Sequence, residues 1–341
     1  MGVAFDGDLA TRPDAVLAVA MLNGMSAKGE ARRISLSVSA PSLVAARLAD
    51  VLAEFYPTLP LGAGYLTVGM PDGPLRRDDG AALAQALAAK TPEGAPLFES
   101  RVERLIDTAD NATLIRNMLL AQHDGNAVVV LAGAATGLAR LLGMHGAREQ
   151  IAAKVQRLVV AIGAFPAGAA EDSIGADVAA ARRLFSEWPT PIVAVGAEVG
   201  DAVRYPGAKL EQGLTWSSAH PVAAACRALG ASARDIPTSA LAALLHAVHP
   251  DAGDFRLSEA GSIGVLDDGR TRFVPNATGR HRYLVVDPAQ RSRLLASYMS
   301  LVTAQPAPRP VRRPPPMAAA AAAGAPATGA PAAPAPAGSK P

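Results

Sequence analysis

The densest group of side chains able to do chemistry lies near the amino terminus, in Asp6-Gly7-Asp8-Leu9-Ala10-Thr11-Arg12-Pro13-Asp14. Three carboxylates on one short loop repel each other, and a hard cation with oxygen ligands would relieve that repulsion. The residues alone leave a second reading open, an acidic turn in which Asp14 serves the positive end of the helix that follows. Further along, Glu171 is divided between lining a pocket and sitting on a solvated loop, and Asp201 with Arg204 reads as a brace within its own loop. His246 and His249 stand three apart on one helical face, a spacing able to bind a metal. No carboxylate or third histidine joins them nearby, and a surface helix end explains them as well. Cys226, within Ala-Ala-Ala-Cys-Arg-Ala, reads as a small buried helical residue; as the single cysteine it excludes an internal disulfide.

These residues need a scaffold, and the pattern around them is that of alternating strands and helices. Val3-Ala4-Phe5 reads as a core strand leading straight into Asp6. Ile34 to Ser39 reads as a second strand and Leu43 to Phe55 as an amphipathic helix. Ala127 to Ala132 and Leu158 to Ile162 are uninterrupted apolar strands of the kind buried on both faces. Val178 to Glu187 reads as a helix, with a strand at Pro191 to Val195. Such alternation predicts an α/β fold with a mixed, mostly parallel sheet flanked by helices. Ligands then belong at the carboxyl ends of the strands, where the Asp6–Asp14 loop falls.

The chain has 341 residues, half of them hydrophobic, with alanine supplying much of that fraction. This is enough for one large domain, expected over 1–303. Residues 304–341 form a Pro/Ala-rich tail without apolar periodicity, expected to be disordered. Within it Pro308 to Pro316 favours polyproline II, which reads either as a solubilising spacer or as a docking segment for a protein partner. Net charge is +2 with scattered Lys and Arg, which argues against a nucleic-acid partner. The apolar run Ala15 to Leu22 is too short to cross a membrane and follows an acidic loop, and no secretory signal is visible, so a cytoplasmic location is expected.

Two families begin with an acidic loop of this kind. Haloacid-dehalogenase phosphatases carry Asp-x-Asp after their first strand, but Ala10 stands where their Thr is wanted. The chain more fully resembles the inosine-uridine nucleoside hydrolases, which read strand, Asp-x-Asp-x-Gly, a short spacer, then Asp-Asp-Ala-Leu-Ala. Val3 to Ala18 is similar to that segment without a gap. Val129-Val-Leu-Ala-Gly-Ala-Ala-Thr-Gly-Leu-Ala resembles the family's strand followed by Thr-Asn-Leu-Ala, and Leu158 to Ala164 its Val-Met-Gly-Gly strand. Glu171-Asp-Ser resembles Glu-Phe-Asn, and His246 to Val286 the end of one branch of the family.

What the resemblance implies is hydrolysis of a nucleoside to ribose and base, with calcium held by loop carboxylates and an Asp taking a proton from water. It would make Asp6 ligand and base and Asp8 a supporting group. Asp14 would be the surviving member of the Asp-Asp pair, and Thr136 would offer calcium a backbone carbonyl. Glu171, Ser173 and Glu198 fall where a nucleoside-like ligand would be held. The departures are concentrated at the same place. The Asp-Asp pair reads Asp14-Ala15, the family's late Asp falls at Ala240, Gly137 and Ser173 replace two Asn, and Arg12 replaces the spacer's Asp. Losing two carboxylates and gaining a cation should weaken a calcium site severely. The expectation is therefore a nucleoside-hydrolase-like protein with no calcium or weakly bound calcium and with lost or reduced activity, acting on as a ligand-binding or structural homologue. A working hydrolase with a rebuilt site is the alternative, and a metal-dependent phosphatase a second one. By the same resemblance the chain is expected to form a homo-oligomer or to pair with a paralogue.

Overall fold

The computed structural model describes residues 1–56, 68–75 and 80–306. The expected tail, from residue 307 onward, lies outside the described residues.

Thirteen strands are formed by the described residues: β1 Gly2–Gly7, β2 Arg32–Val38, β3 Gly69–Met70, β4 Ala109–Asp110, β5 Ala127–Ala132, β6 Val155–Val160, β7 Ile192–Ala194, β8 Arg204–Pro206, β9 Asp235–Pro237, β10 Arg256–Leu257, β11 Gly261–Val265, β12 Thr271–Pro275 and β13 His281–Val285. β8 and β9 pair apart; the other strands join one sheet in the order β12-β11-β13-β7-β6-β5-β1-β2-β3-β4, with β10 beside β13. From β7 to β4 every pairing is parallel, and β13 joins β7 in parallel too. β10, β11 and β12 add antiparallel pairings at one end. The mixed, mostly parallel sheet predicted from the apolar runs is therefore present.

Burial on both faces explains why the central strands are apolar without alternation. Along β1, Val3 and Phe5 pack into one hydrophobic cluster and Ala4 into the other. The first cluster includes α1 (Pro13–Ala27) and α2 (Leu43–Phe55), the second the helices Asn111–Leu120, Thr136–Leu142 and Val178–Glu187. α1 is apolar all round because it is covered all round: every residue from Asp14 to Met25 is buried. Gly24 is what lets the last helix, Arg291–Val302, lie so close, since a Cβ there would stand 2.2 Å from the Leu301 carbonyl oxygen.

α1 begins where the acidic loop ends. Pro13 occupies its first turn, where a missing N–H costs nothing, and Arg12 before it is extended. The loop is thereby fixed above the carboxyl end of β1, beside the equivalent ends of β5 and β2. No helix among the described residues is long and apolar enough to cross a membrane.

Candidate functional site

A cleft of about 610 Å³ opens at the carboxyl ends of the parallel strands, walled by the loops after β1, β2, β6 and β7 and by the start of the helix Ser239–Val248. Its polar lining includes Asp8, Thr11, Arg12, Asp14, Ser39, Glu171, Ser173, Arg234 and Ser239. Of the site residues expected from sequence, Asp8, Asp14, Glu171 and Ser173 thus line one cleft.

Asp8 is spent on its own loop. Its Oδ1 accepts from the Ala10 and Thr11 amides, both at 3.1 Å, and Oδ2 accepts from the Thr11 hydroxyl at 2.8 Å. That Asx-type turn sets the loop's path and carries Arg12 back over the helix start.

Arg12 then closes on Asp14. Nε donates to Oδ1 at 3.2 Å and Nη2 to Oδ2 at 2.9 Å, the two-pronged geometry that a guanidinium makes with a carboxylate. Nη1 donates to the Ala161 carbonyl at 2.8 Å, just past β6, and stands 3.8 Å from Glu171 Oε1. Burial works against the charge on Arg12, but Asp14 foremost, then Glu171 and Asp8, hold the guanidinium protonated beyond its ordinary range. Asp14 has a further partner, the Ala240 amide at 3.0 Å, a buried donor in the first turn of the helix Ser239–Val248, where N–H groups lack an intrahelical acceptor. Arg12 and Ala240 between them occupy both carboxylate oxygens.

Asp6 has the opposite surroundings. It is fully buried on β1, flanked in the ladder by Ser37 and Leu131, and is not among the residues lining the cleft. Neither carboxylate oxygen has a hydrogen-bond partner of ordinary geometry. Burial raises its pKa to about 7, tempered by the nearby Ser37 hydroxyl. Asn111, at the start of its helix, is equally buried with its amide unpartnered, and packs where Gly137 leaves room: a Cβ on Gly137 would meet its Nδ2 at 2.1 Å.

The remaining expected residues serve the frame. The Thr136 hydroxyl donates to Asp177 at 2.9 Å, tying the helix Thr136–Leu142 to the cap of Val178–Glu187. Glu171 accepts from the Gly163 amide at 3.0 Å and so reaches the cleft from a fixed position. Glu198 turns to backbone, accepting from the Phe165 amide at 3.2 Å, and is absent from the cleft lining; burial raises its pKa. Asp201 and Arg204 brace each other, as the sequence suggested. The two histidines go separate ways. His246 is buried against Phe255, while His249 pairs with Glu30 at 3.1 Å. Ser39 and Arg234 carried no motif and were not foreseen as lining residues. Only the place of Ser39 at the end of a core strand could have marked it.

Calcium, the metal that this fold implies, asks for six to eight oxygen ligands. Among the described residues no three acidic, histidine or cysteine side chains are grouped so as to hold a metal. Asp14 is taken up by Arg12 and Ala240, Asp8 by its turn, and Ala15 and Ala240 present methyl groups inside the core. The donor set does not fit a divalent cation.

No protein-family model matches the chain, and no curated protein does. Solved structures do. A plant nucleoside hydrolase superposes with a TM-score of 0.65 at 22% identity over 89% of this chain and 99% of its own. A purine-preferring ribonucleoside hydrolase from Gardnerella vaginalis gives 0.64 at 16% identity, covering 89% and 98%. The type III effector protein XopQ, whose structure is a complex with adenosine diphosphate ribose, gives 0.58 at 16% identity, covering 89% and 94%. The architecture is that of the nucleoside hydrolases, and the resemblance read from the motifs holds at the level of the fold.

Proposed function

We propose that this protein uses the nucleoside-hydrolase cleft to bind a nucleoside-like small molecule that it does not hydrolyse at an enzyme's rate. The observation that carries this reading is the Arg12 guanidinium, which sits on both oxygens of Asp14 at 3.2 and 2.9 Å. Hydrolysis of a ribosyl–base bond needs an activated water, and a base must be able to reach that water. Asp14 is engaged by a cation, and Asp6 is buried away from the cleft lining. What remains is suited to holding hydroxyls: Ser39, Ser173 and Ser239 around the fixed carboxylate of Glu171. A ribosyl compound bound by XopQ supports the same ligand class for a cleft of this fold.

One observation favours the alternative of a hydrolase with a rebuilt site. Asp6, with its pKa near 7, titrates where a general base is useful. A single set of measurements separates the two. Purified protein is incubated with inosine, uridine and adenosine while released reducing sugar is followed, and calorimetry is run with the same nucleosides, ribose and adenosine diphosphate ribose. We expect saturable binding of at least one ribosyl compound, abolished or weakened by Glu171→Ala, with no sugar released above the no-protein control. Turnover lost in Asp6→Asn would establish the hydrolase instead, and absence of binding to all of them would remove the ligand-binding reading.

A further inference from the structure

The walls of the cleft carry more negative than positive charge. Five carboxylates line it, Asp8, Asp14, Glu171, Asp172 and Asp201, against the guanidiniums of Arg12 and Arg234. Two of the five have a close counter-charge, Asp14 in Arg12 and Asp201 in Arg204 from outside the lining. Asp8 and Glu171 accept from amides, and such a hydrogen bond satisfies an oxygen without supplying a whole charge. Arg12 stands 3.8 Å from Glu171, its nearer contacts going to Asp14 and Ala161. Asp172 is exposed next to Glu171, and Arg234 is exposed just before β9. With Arg204 counted, five negative charges less three positive ones leave an excess of two negative.

A divalent metal does not answer that excess, because it needs several oxygens converging on one point and these are dispersed and engaged. An organic cation with a delocalised charge needs no such shell. It is held by the summed field, which a cleft between low-dielectric walls concentrates. A second, independent feature points to a ligand. The Ser39 hydroxyl lines the cleft, the residue is 2% exposed, and the hydroxyl has no hydrogen-bond partner within the chain. Its place is kept by Gly133, since a Cβ there would stand 2.0 Å from that oxygen. A buried hydroxyl left without a partner is costly, and a ligand hydroxyl entering the cleft would meet that need.

We propose that the ligand of this cleft is a ribosyl compound bearing a positive charge, a pyridinium or an N-alkylated purine, with Ser39 bonding one of its hydroxyls. The proposal rests on the reading that the cleft binds a ribosyl compound, and adds the charge that the compound carries. Ser39 supplies a contact common to every ribosyl compound, while the carboxylate excess chooses among them. The same field disfavours a phosphorylated compound, whose charge has the sign of the walls.

The test is calorimetry on the full chain at neutral pH with two matched pairs of probes. Nicotinamide riboside carries a pyridinium, and its dihydro form has the same substituents without the charge. 1-Methyladenosine is a cation, and N6-methyladenosine is its neutral isomer. At low salt the cation of each pair should bind roughly tenfold tighter, the effect of one unit charge several ångströms away at intermediate dielectric. Salt at about 0.5 M should weaken the cations several-fold and leave the neutral compounds nearly unchanged. Asp172→Asn should narrow the gap about twofold and Asp172→Lys further, with the neutral compounds again unaffected. Ser39→Ala should weaken both members of a pair alike. Nicotinamide mononucleotide, which adds a phosphate, should bind less tightly than the riboside. The proposal is overturned if either pair shows no preference for its cation, since a gap in one pair alone would trace to shape. It is equally overturned if the gap survives both salt and Asp172→Lys, or if the phosphorylated compound binds more tightly than the riboside. Binding without a charge preference leaves the ligand-binding reading standing, whereas no binding by any of the probes removes both.

Discussion

The carboxyl end of β1 and the first turn of α1 each bury an aspartate within one short segment, and the protein treats them oppositely. At the helix start, Asp14 is matched by a guanidinium and by the Ala240 amide. At the strand end, Asp6 has no cation and no hydrogen-bond partner of ordinary geometry. Equal burial thus leads to two ways of meeting the cost of a buried charge: a counter-charge for one, a retained proton for the other. A site built for a divalent cation would want both carboxylates ionised and facing one point. Here they sit in different surroundings, separated by whether Arg12 reaches them.

The largest effect that would test this contrast is the pH dependence introduced by Asp6. Its folded-state pKa of about 7 lies above the ordinary value of 3.8. Between those values the folded state holds a proton that the unfolded state has released, so stability is fully present below about pH 4 and is lost as pH rises through 7. The loss is at most about 4 kcal/mol, taking about 1.4 kcal/mol for each pH unit of difference. Buried histidines work the other way. His220, His246 and His281, each lowered to about 4 by burial, cost stability as pH falls from about 6.5. Those contributions are common to wild type and Asp6→Asn, so the difference between the two proteins isolates Asp6. Urea unfolding from pH 4 to 8 should show Asp6→Asn gaining on wild type as pH rises. A constant difference across that range would mean that Asp6 is ionised throughout.

The next effect concerns the other aspartate. Arg12→Ala in chelator strands Asp14 as a buried, uncompensated charge, a change that typically costs about 3 kcal/mol. Removing Asp14 as well should recover part of that loss, leaving the hydrogen bond to the Ala240 amide, worth about 1 kcal/mol, as the remainder. A double mutant no more stable than Arg12→Ala alone would show that Arg12 matters for its grip on Ala161 rather than for the charge of Asp14.

The fold was legible where the periodicity is local. The helices Leu43–Phe55 and Val178–Glu187 and the strand Ala127–Ala132 have the bounds that their apolar patterns predict, because each is decided within its own few residues. The strand read from Leu158 begins earlier, at Val155, since exposed Gln156 interrupts the apolar run where the register to β5 shifts and pairing resumes at Arg157. At the site, the convergence of Asp8, Asp14, Glu171 and Ser173 was legible through the family-like order of motifs. The role of Arg12 was half legible. Its charge in an acidic loop was plain, but one of its anchors is Ala161, 149 residues away, which no local pattern announces. Asp6 was read as the first residue of the acidic loop, at the end of a core strand. The strand runs on through it to Gly7, and Asp6 is buried on the face that it shares with Ala4. Glu198 stands in the first turn of its helix and accepts from the Phe165 amide, 33 residues away, a contact that no local pattern announces.

The smallest expected effect lies at the far end of the chain, where the comparison is between a segment with anchors and one whose composition supplies none. The last helix ends at Val302, and the chain beyond it is tied to the body at Thr303, whose carbonyl accepts from Trp216 Nε1 at 3.2 Å and whose hydroxyl donates to the Met299 carbonyl at 2.8 Å. A stop codon after Ala304 keeps both bonds and also keeps Leu301 and Val302 in the core cluster. It removes a Pro/Ala-rich stretch that lacks the apolar spacing needed to bury surface against anything. We propose that this stretch is an appendage and not part of the folded body. Truncation should therefore shift the melting temperature by no more than about 1 °C, the scale of a few tenths of a kcal/mol in a domain of this size. A shift of many degrees would make the tail part of the folded domain. Loss of nucleoside binding at an unchanged melting temperature would place its role at the cleft, and loss of association with another protein alone would favour the docking reading of Pro308 to Pro316.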